Sequence, residues 1–185
     1  MLNQVYQEME RKMARAAEAL KAEFAGIRTG RANPGLLEGI KVQSYGSLVP
    51  LNQVAGVSVP EPRLLVIQPW DKTALPEIEK AILKSELGLT PMNDGRVIRL
   101  PIPTLTEERR KELSRLIKKM AEDGKVAVRN IRREANDEVK KLEKDKKISE
   151  DDSKKALEKT QELTDKAVKG IDEILTKKEK EIMEV

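Results

Sequence analysis

Between residues 104 and 146 apolar side chains return every three or four positions: Leu113, Leu116, Ile117, Met120, Val128, Ile131, Ala135, Val139 and Leu142. That spacing lays one apolar stripe along an α-helix. At ~40 residues such a helix is about 60 Å long. A helix with a single apolar face is not stable alone in water, so this one requires partners along its whole length. Two further segments carry the same period. Residues 2–28 offer Leu2, Val5, Met9, Met13, Ala16, Leu20, Phe24 and Ile27, and the chain beyond Ser149 offers Ala156, Leu163, Ala167, Ile171, Ile174 and Ile182. The short polar stretch "KKISEDD", with Ser149 capping toward Asp152, makes the second and third helices antiparallel neighbours. The first helix closes a three-helix bundle. Thr104 with Glu107 reads as the capping box of the middle helix. Gly124, inside that helix, costs about 1 kcal/mol relative to alanine and is a place where it could bend.

Residues 31–103 interrupt this pattern. Prolines gather there, with six of the ten glycines. "IKVQSYG" and "VAGVSV" alternate like half-buried strands, and "RLLVIQ" reads as a buried one. "TALPEIEKAILKSELG" reads as a short helix with Leu75, Ile78 and Ile82 on one side and Gly88 at its end. "NDG" at 93–95 is a tight-turn signal before the strand "RVIRL". The expected fold is α+β: an antiparallel three-helix bundle from residues 1–30 and 104–185, with a small β/α/β domain, 31–103, inserted between its first and second helices. Two segments, "RTGRANP" and "PIPT", cross the junction. Thr29, Gly30, Pro103 and Thr104 are therefore the expected hinge between two rigid bodies.

Charge is unevenly spread. Residues 1–133 carry 23 basic and 16 acidic side chains, whereas residues 134–185 carry 13 basic and 16 acidic. All 13 arginines lie at or before Arg133. Lysine and arginine both solubilise a helix face, but only arginine offers a planar fork that matches a phosphate with two hydrogen bonds. Within "VAVRNIRREAND" Arg129, Arg132 and Arg133 share one wedge of the middle helix, beside the seam of Val128, Ile131, Ala135 and Val139. An anionic partner is one reading. The other is a solvated face neutralised along the helix, with Arg133 against Asp137 or Arg129 against Glu134. Arg28 and Arg31 flank the hinge and are further candidates for phosphate contacts. Arg109 and Arg110, at the start of the middle helix, are weaker ones.

The chain has no cysteine and no histidine. Thiol catalysis, zinc fingers, iron–sulfur clusters and Ser-His-Asp chemistry are thereby removed, and neither a metal nor a cofactor is expected. The N-terminus lacks a basic region followed by an apolar core, and the longest aliphatic run, "LLVI" at 64–67, is far too short to span a membrane. A soluble, cytoplasmic monomer without membrane contact is expected. An enzyme in the middle domain would have to use Asp71, Glu77 and Glu79, which stand without a histidine or a glycine-rich phosphate loop. A helical scaffold binding clients through apolar faces is the other alternative. Salt separates it from an RNA binder, whose affinity falls steeply as salt rises.

The ordered set "IRTGRANP" (27–34), "SYG" (44–46), "EIEKAIL" (77–83), "ELGL" (86–89), "NDGRVIRL" (93–100), "LTEERRKEL" (105–113), "KVAVRNIRREAND" (125–137), "ISEDD" (148–152) and "LTDK" (163–166) resembles the ribosome recycling factor family over the whole chain. The family usually has two tyrosines before the glycine of the first strand turn, where this chain has Ser44 and Tyr45. The resemblance implies an L-shaped molecule, a three-helix bundle with a hinged β/α/β domain. It implies binding to the bacterial ribosome after termination and, with elongation factor G and GTP, separation of its subunits for reuse. It implies no catalytic residues. It also implies contact of Arg129, Arg132 and Arg133 with large-subunit ribosomal RNA, Arg132 foremost. Such contacts position a protein on folded RNA without reading sequence.

Overall fold

The apolar period of the first segment becomes α1, Leu2–Ala25, which buries Val5, Met9, Met13, Leu20 and Phe24. The computed structural model describes residues 1–184. The helix stops short of residue 28. Glycine is costly inside a helix, and at Gly26 the chain turns away, with the Ile27 N–H donating to the Phe24 carbonyl at 3.1 Å. The middle helix, α3, spans Glu107–Lys144, and the last, α4, spans Glu150–Met183.

The start of α3 differs from expectation. Thr106, not Thr104, is its cap: the Thr106 hydroxyl accepts the Arg109 N–H at 3.2 Å. A capping oxygen must stand directly before the first turn, and Thr104 lies two residues further back in irregular chain. The seam of α3 also shifts. Leu113, Ile117, Ala121, Val128, Ala135 and Val139 are buried, while Leu116 is 43% exposed.

The chain divides into two compact units, one of residues 1–22 and 113–179, the other of residues 23–112 and the chain from Lys180. In the first unit Lys12 of α1 meets Glu134 of α3 at 2.8 Å, and Leu20 of α1 lies beside Gly124. The pairing 12 with 134 and 20 with 124 makes these helices antiparallel. Lys125 pairs with Asp172, and Thr160 lies against Asn136, so α4 is antiparallel to α3 as well. At Gly124 the three helices converge: a methyl group there would meet Ile171 Cδ1 at 3.5 Å and Leu20 Cδ2 at 3.8 Å, ordinary contact distances. Helix α3 runs through this glycine unbroken.

The α3–α4 turn is set locally. Lys146 adopts φ 58°, and the Lys147 N–H returns to the Leu142 carbonyl while the Lys146 N–H returns to Glu143, both at 2.9 Å. This is a Schellman motif with lysine where glycine is usual. Ser149 and Asp152 then cap α4 reciprocally, at 3.0 and 3.3 Å, as expected.

The second unit carries two antiparallel sheets. β1 (Lys41–Ser44) and β2 (Ser47–Pro50) form a hairpin; β3 (Ala55–Glu61), β4 (Leu64–Pro69), β5 (Met92–Asn93) and β6 (Ile98–Pro101) form a sheet of order β3-β4-β6-β5. The register sets Leu65 opposite Leu100 and Ile67 opposite Ile98, all four fully buried. Helix α2, Leu75–Lys84, adds Leu75, Ile78 and Ile82 to the same core. It ends before Gly88, because the Ser85 hydroxyl takes the Ile82 carbonyl at 2.6 Å; Gly88, with φ +66°, serves the following turn. Long helices with a small antiparallel sheet unit place the chain in the expected α+β class.

Candidate nucleic-acid interface

Helix α3 carries Arg129, Arg132 and Arg133 within little more than one turn, the first two half-buried and the third exposed. The burial of Val128, Ala135 and Val139 fixes which side of the helix faces the bundle, and so fixes where the arginines emerge. Their partners differ from those anticipated. Neither Arg133 with Asp137 nor Arg129 with Glu134 forms. Glu134 is taken by Lys12, whose pKa its hydrogen bond raises. Arg129 pairs instead with Glu122, two turns earlier, at 3.2 Å.

Among the described residues Arg132 and Arg133 bind neutral amides and no carboxylate. Arg132 donates to Gln161 Oε1 at 3.2 Å, and Arg133 to Asn130 Oδ1 at 3.4 Å. Gln161 in turn donates through Nε2 to Asp165 at 2.8 Å. An ionised carboxylate only accepts, so Asp165 turns the amide nitrogen of Gln161 toward itself and leaves the amide oxygen for Arg132. The Arg132 fork is thus steered from a second helix, while among the described residues no carboxylate neutralises it. Sequence reasoning missed Gln161 and Asp165. Their i,i+4 spacing on α4 was visible, but their position beside Arg132 was not.

The remaining candidates lie in the second unit. Arg28 is half-buried and its side chain has no protein partner among the described residues. Arg31 pairs with Glu184 at 3.3 Å. Thr29 is buried, and its hydroxyl accepts the Arg31 N–H. Gly30 lies against Leu105, while Pro103 and Thr104 are exposed. Both connecting segments are tied to the turn between β3 and β4. The Ala32 N–H donates to the Pro62 carbonyl at 2.7 Å, and the Ile102 N–H to the Arg63 carbonyl at 2.8 Å. Arg109 is paired with Glu112, and Arg110 keeps a buried Nε without a protein acceptor.

Among the described residues no helix is long and apolar enough to cross a membrane, and no cluster of acidic side chains could hold a metal ion. Long helices packed as a bundle and a small antiparallel sheet unit define an α+β class of protein that solved ribosome recycling factors share. A solution structure of a ribosome recycling factor matches with a TM-score of 0.79 and 50% identity, covering 100% of this chain and 98% of the other. A second match comes from models of the T. thermophilus ribosome recycling factor and the E. coli elongation factor G bound to the E. coli post-termination complex. It has a TM-score of 0.71 and 50% identity, with both chains fully covered.

Sequence comparison makes the assignment specific. The family model for ribosome recycling factor matches residues 20–183. The ribosome-recycling factors of Desulfitobacterium hafniense and Geobacillus kaustophilus are 61% and 60% identical over 185 residues, all of each chain. That of Natranaerobius thermophilus is 57% identical over 181 residues, 98% of each chain. The chain belongs to the ribosome recycling factor family.

Proposed function

We propose that this chain recycles ribosomes in the cytoplasm, binding the post-termination complex and working with elongation factor G and GTP to separate the subunits. In this reading it is a binding factor and not an enzyme. Its arginine strip holds large-subunit ribosomal RNA, with Arg132 giving a bidentate phosphate contact and Arg129 and Arg133 adding field. The observation that supports the contact is the state of Arg132: a guanidinium steered by Gln161 and, among the described residues, left without a carboxylate, ready for an oxyanion. Binding to purified large subunits should weaken steeply with salt. Arg132→Ala should cost on the order of 1–3 kcal/mol of that binding, and Arg132→Lys should restore only part of it. A variant that binds normally but melts far below the parent would make the strip a structural face instead.

Arg28 and Arg31 are proposed as secondary phosphate contacts. Arg28 is the better placed, since Arg31 must first leave Glu184. We also propose that residues 31–103 turn as a body against residues 1–30 and 104–185, at Thr29, Gly30, Pro103 and Thr104. Residues 26–33 and 102–106 lie outside helix and strand, which supports bending there. The chain has no cysteine, so Gly30→Cys with Leu105→Cys gives a single engineered cross-link. Oxidation should slow subunit separation and reduction should restore it. An oxidised protein that recycles at the parental rate would remove the hinge from the mechanism.

A further inference from the structure

The chain has four aromatic side chains, and two of them stand in solvent at one place in the second unit: Tyr45 is 96% exposed and Trp70 70% exposed. Tyr45 is the first central residue of the β1–β2 turn, with φ 47°, followed by Gly46 at φ 81°. A type I′ hairpin turn requires both of these positive angles and favours Asn-Gly. Left-handed backbone penalises a tyrosine, and a ring 96% exposed buries little apolar surface in return.

Trp70 approaches from a different element. It follows β4, anchored by its backbone N–H to the Val54 carbonyl at 3.1 Å. The two rings line one cleft of about 380 Å³, together with Gln43, Gln53, Asp71 and Glu77 among others. The charged residues of its lining are Asp71 and Glu77, and no lysine or arginine lines it. The Thr73 N–H, which donates to Asp71 at 3.0 Å, and the Tyr45 hydroxyl, 3.5 Å from its other oxygen, hold the carboxylate ionised and turned into place.

We infer that this cleft docks a protein segment that presents an arginine or lysine side chain. The faces of Tyr45 and Trp70 attract a cation through their π-electron density, and Asp71 and Glu77 supply the counter-charge. A nucleic acid is the wrong partner for the same reason: its phosphates would meet two carboxylates. The site is separate from the arginine strip and stands whether or not the strip binds RNA.

Trp70 is the single tryptophan of the chain, so its emission reads the site directly. The full chain is titrated at low salt with acetyl-Gly-Arg-Gly-amide, with acetyl-Gly-Gln-Gly-amide and with a short oligouridylate. The expected result is a saturable change with the arginine peptide alone. It should be weakened roughly tenfold in Tyr45→Asn and in Asp71→Asn, the range for losing a ring face or a counter-charge at a cation site. Both substitutions keep the local backbone, because asparagine suits the left-handed turn and also caps Thr73, so melting should hold or rise. The proposal is overturned if the arginine peptide gives no saturable change, or if the neutral peptide matches it. It is also overturned if oligouridylate alone gives the change, which would make the rings a base-stacking surface, or if Tyr45→Asn binds as tightly as the parent.

Discussion

Arg132 on α3 and Gln161 on α4 meet at 3.2 Å although 29 positions separate them in the chain. The bond places an amide oxygen, not a carboxylate, against the guanidinium. The fork is oriented and its charge stays available. Gln161→Ala therefore makes a test that leaves every charge in place. Binding to large subunits should fall by a few fold, less than for Arg132→Ala, on the order of the ~1 kcal/mol of one net hydrogen bond. Thermal unfolding should move little, since the hydrogen bond lies at the surface. Filter binding and a melting curve on the same preparations decide it. An unchanged affinity would mean that Gln161 does not position Arg132.

Gly124 offers a stability prediction of opposite sign to the usual core substitution. The space beside it accepts a methyl at ordinary contact distance from Ile171 and Leu20. Gly124→Ala should stabilise the first unit by about 0.5–1 kcal/mol through helix propensity and a less disordered unfolded chain. Chemical denaturation followed by far-ultraviolet circular dichroism is the measurement. A loss of stability would show that α3 needs the glycine for closer packing.

Lys146 holds the left-handed position of the α3–α4 turn. Lys146→Gly removes the clash of its Cβ and should stabilise by up to about 1 kcal/mol. Lys146→Val should destabilise, because a branched side chain resists φ above zero more strongly. The two substitutions moving melting in opposite directions is the expected result.

Acid should weaken the turn between β5 and β6. Asp94 accepts the Val97 and Arg96 N–H groups at 2.9 and 2.8 Å and pairs with Arg99, which lowers its pKa to about 2. A carboxyl depressed in the folded state contributes its full stabilisation above its unfolded pKa, about 4. That contribution disappears as pH falls from there through about 2. Asp94→Asn keeps an acceptor oxygen but cannot titrate. Hydrogen exchange at the Val97 amide should accelerate, relative to Asp94→Asn, as pH drops from about 4 toward 2. Parallel profiles for the two proteins would show that the turn does not depend on the ionised carboxylate.

Local order was legible in the residues themselves. Val5, Met9, Met13, Leu20 and Phe24 are buried as their spacing requires, because a helix converts steps of three and four into one face. Ser149 and Asp152 cap α4, and Gly95 turns between β5 and β6 with φ +88°, because these motifs close within four residues. The arginine wedge on α3 followed from the same geometry. Tertiary packing decided the rest. It chose Lys12 for Glu134 and Gln161 for Arg132, selecting among many carboxylates and amides by which helix faces lie side by side. It set β1–β2 apart from the larger sheet and brought Tyr45 and Trp70, on different elements, to one cleft. Periodicity determines which side of an element is apolar; only the packed chain determines which neighbour that side and its polar margins meet.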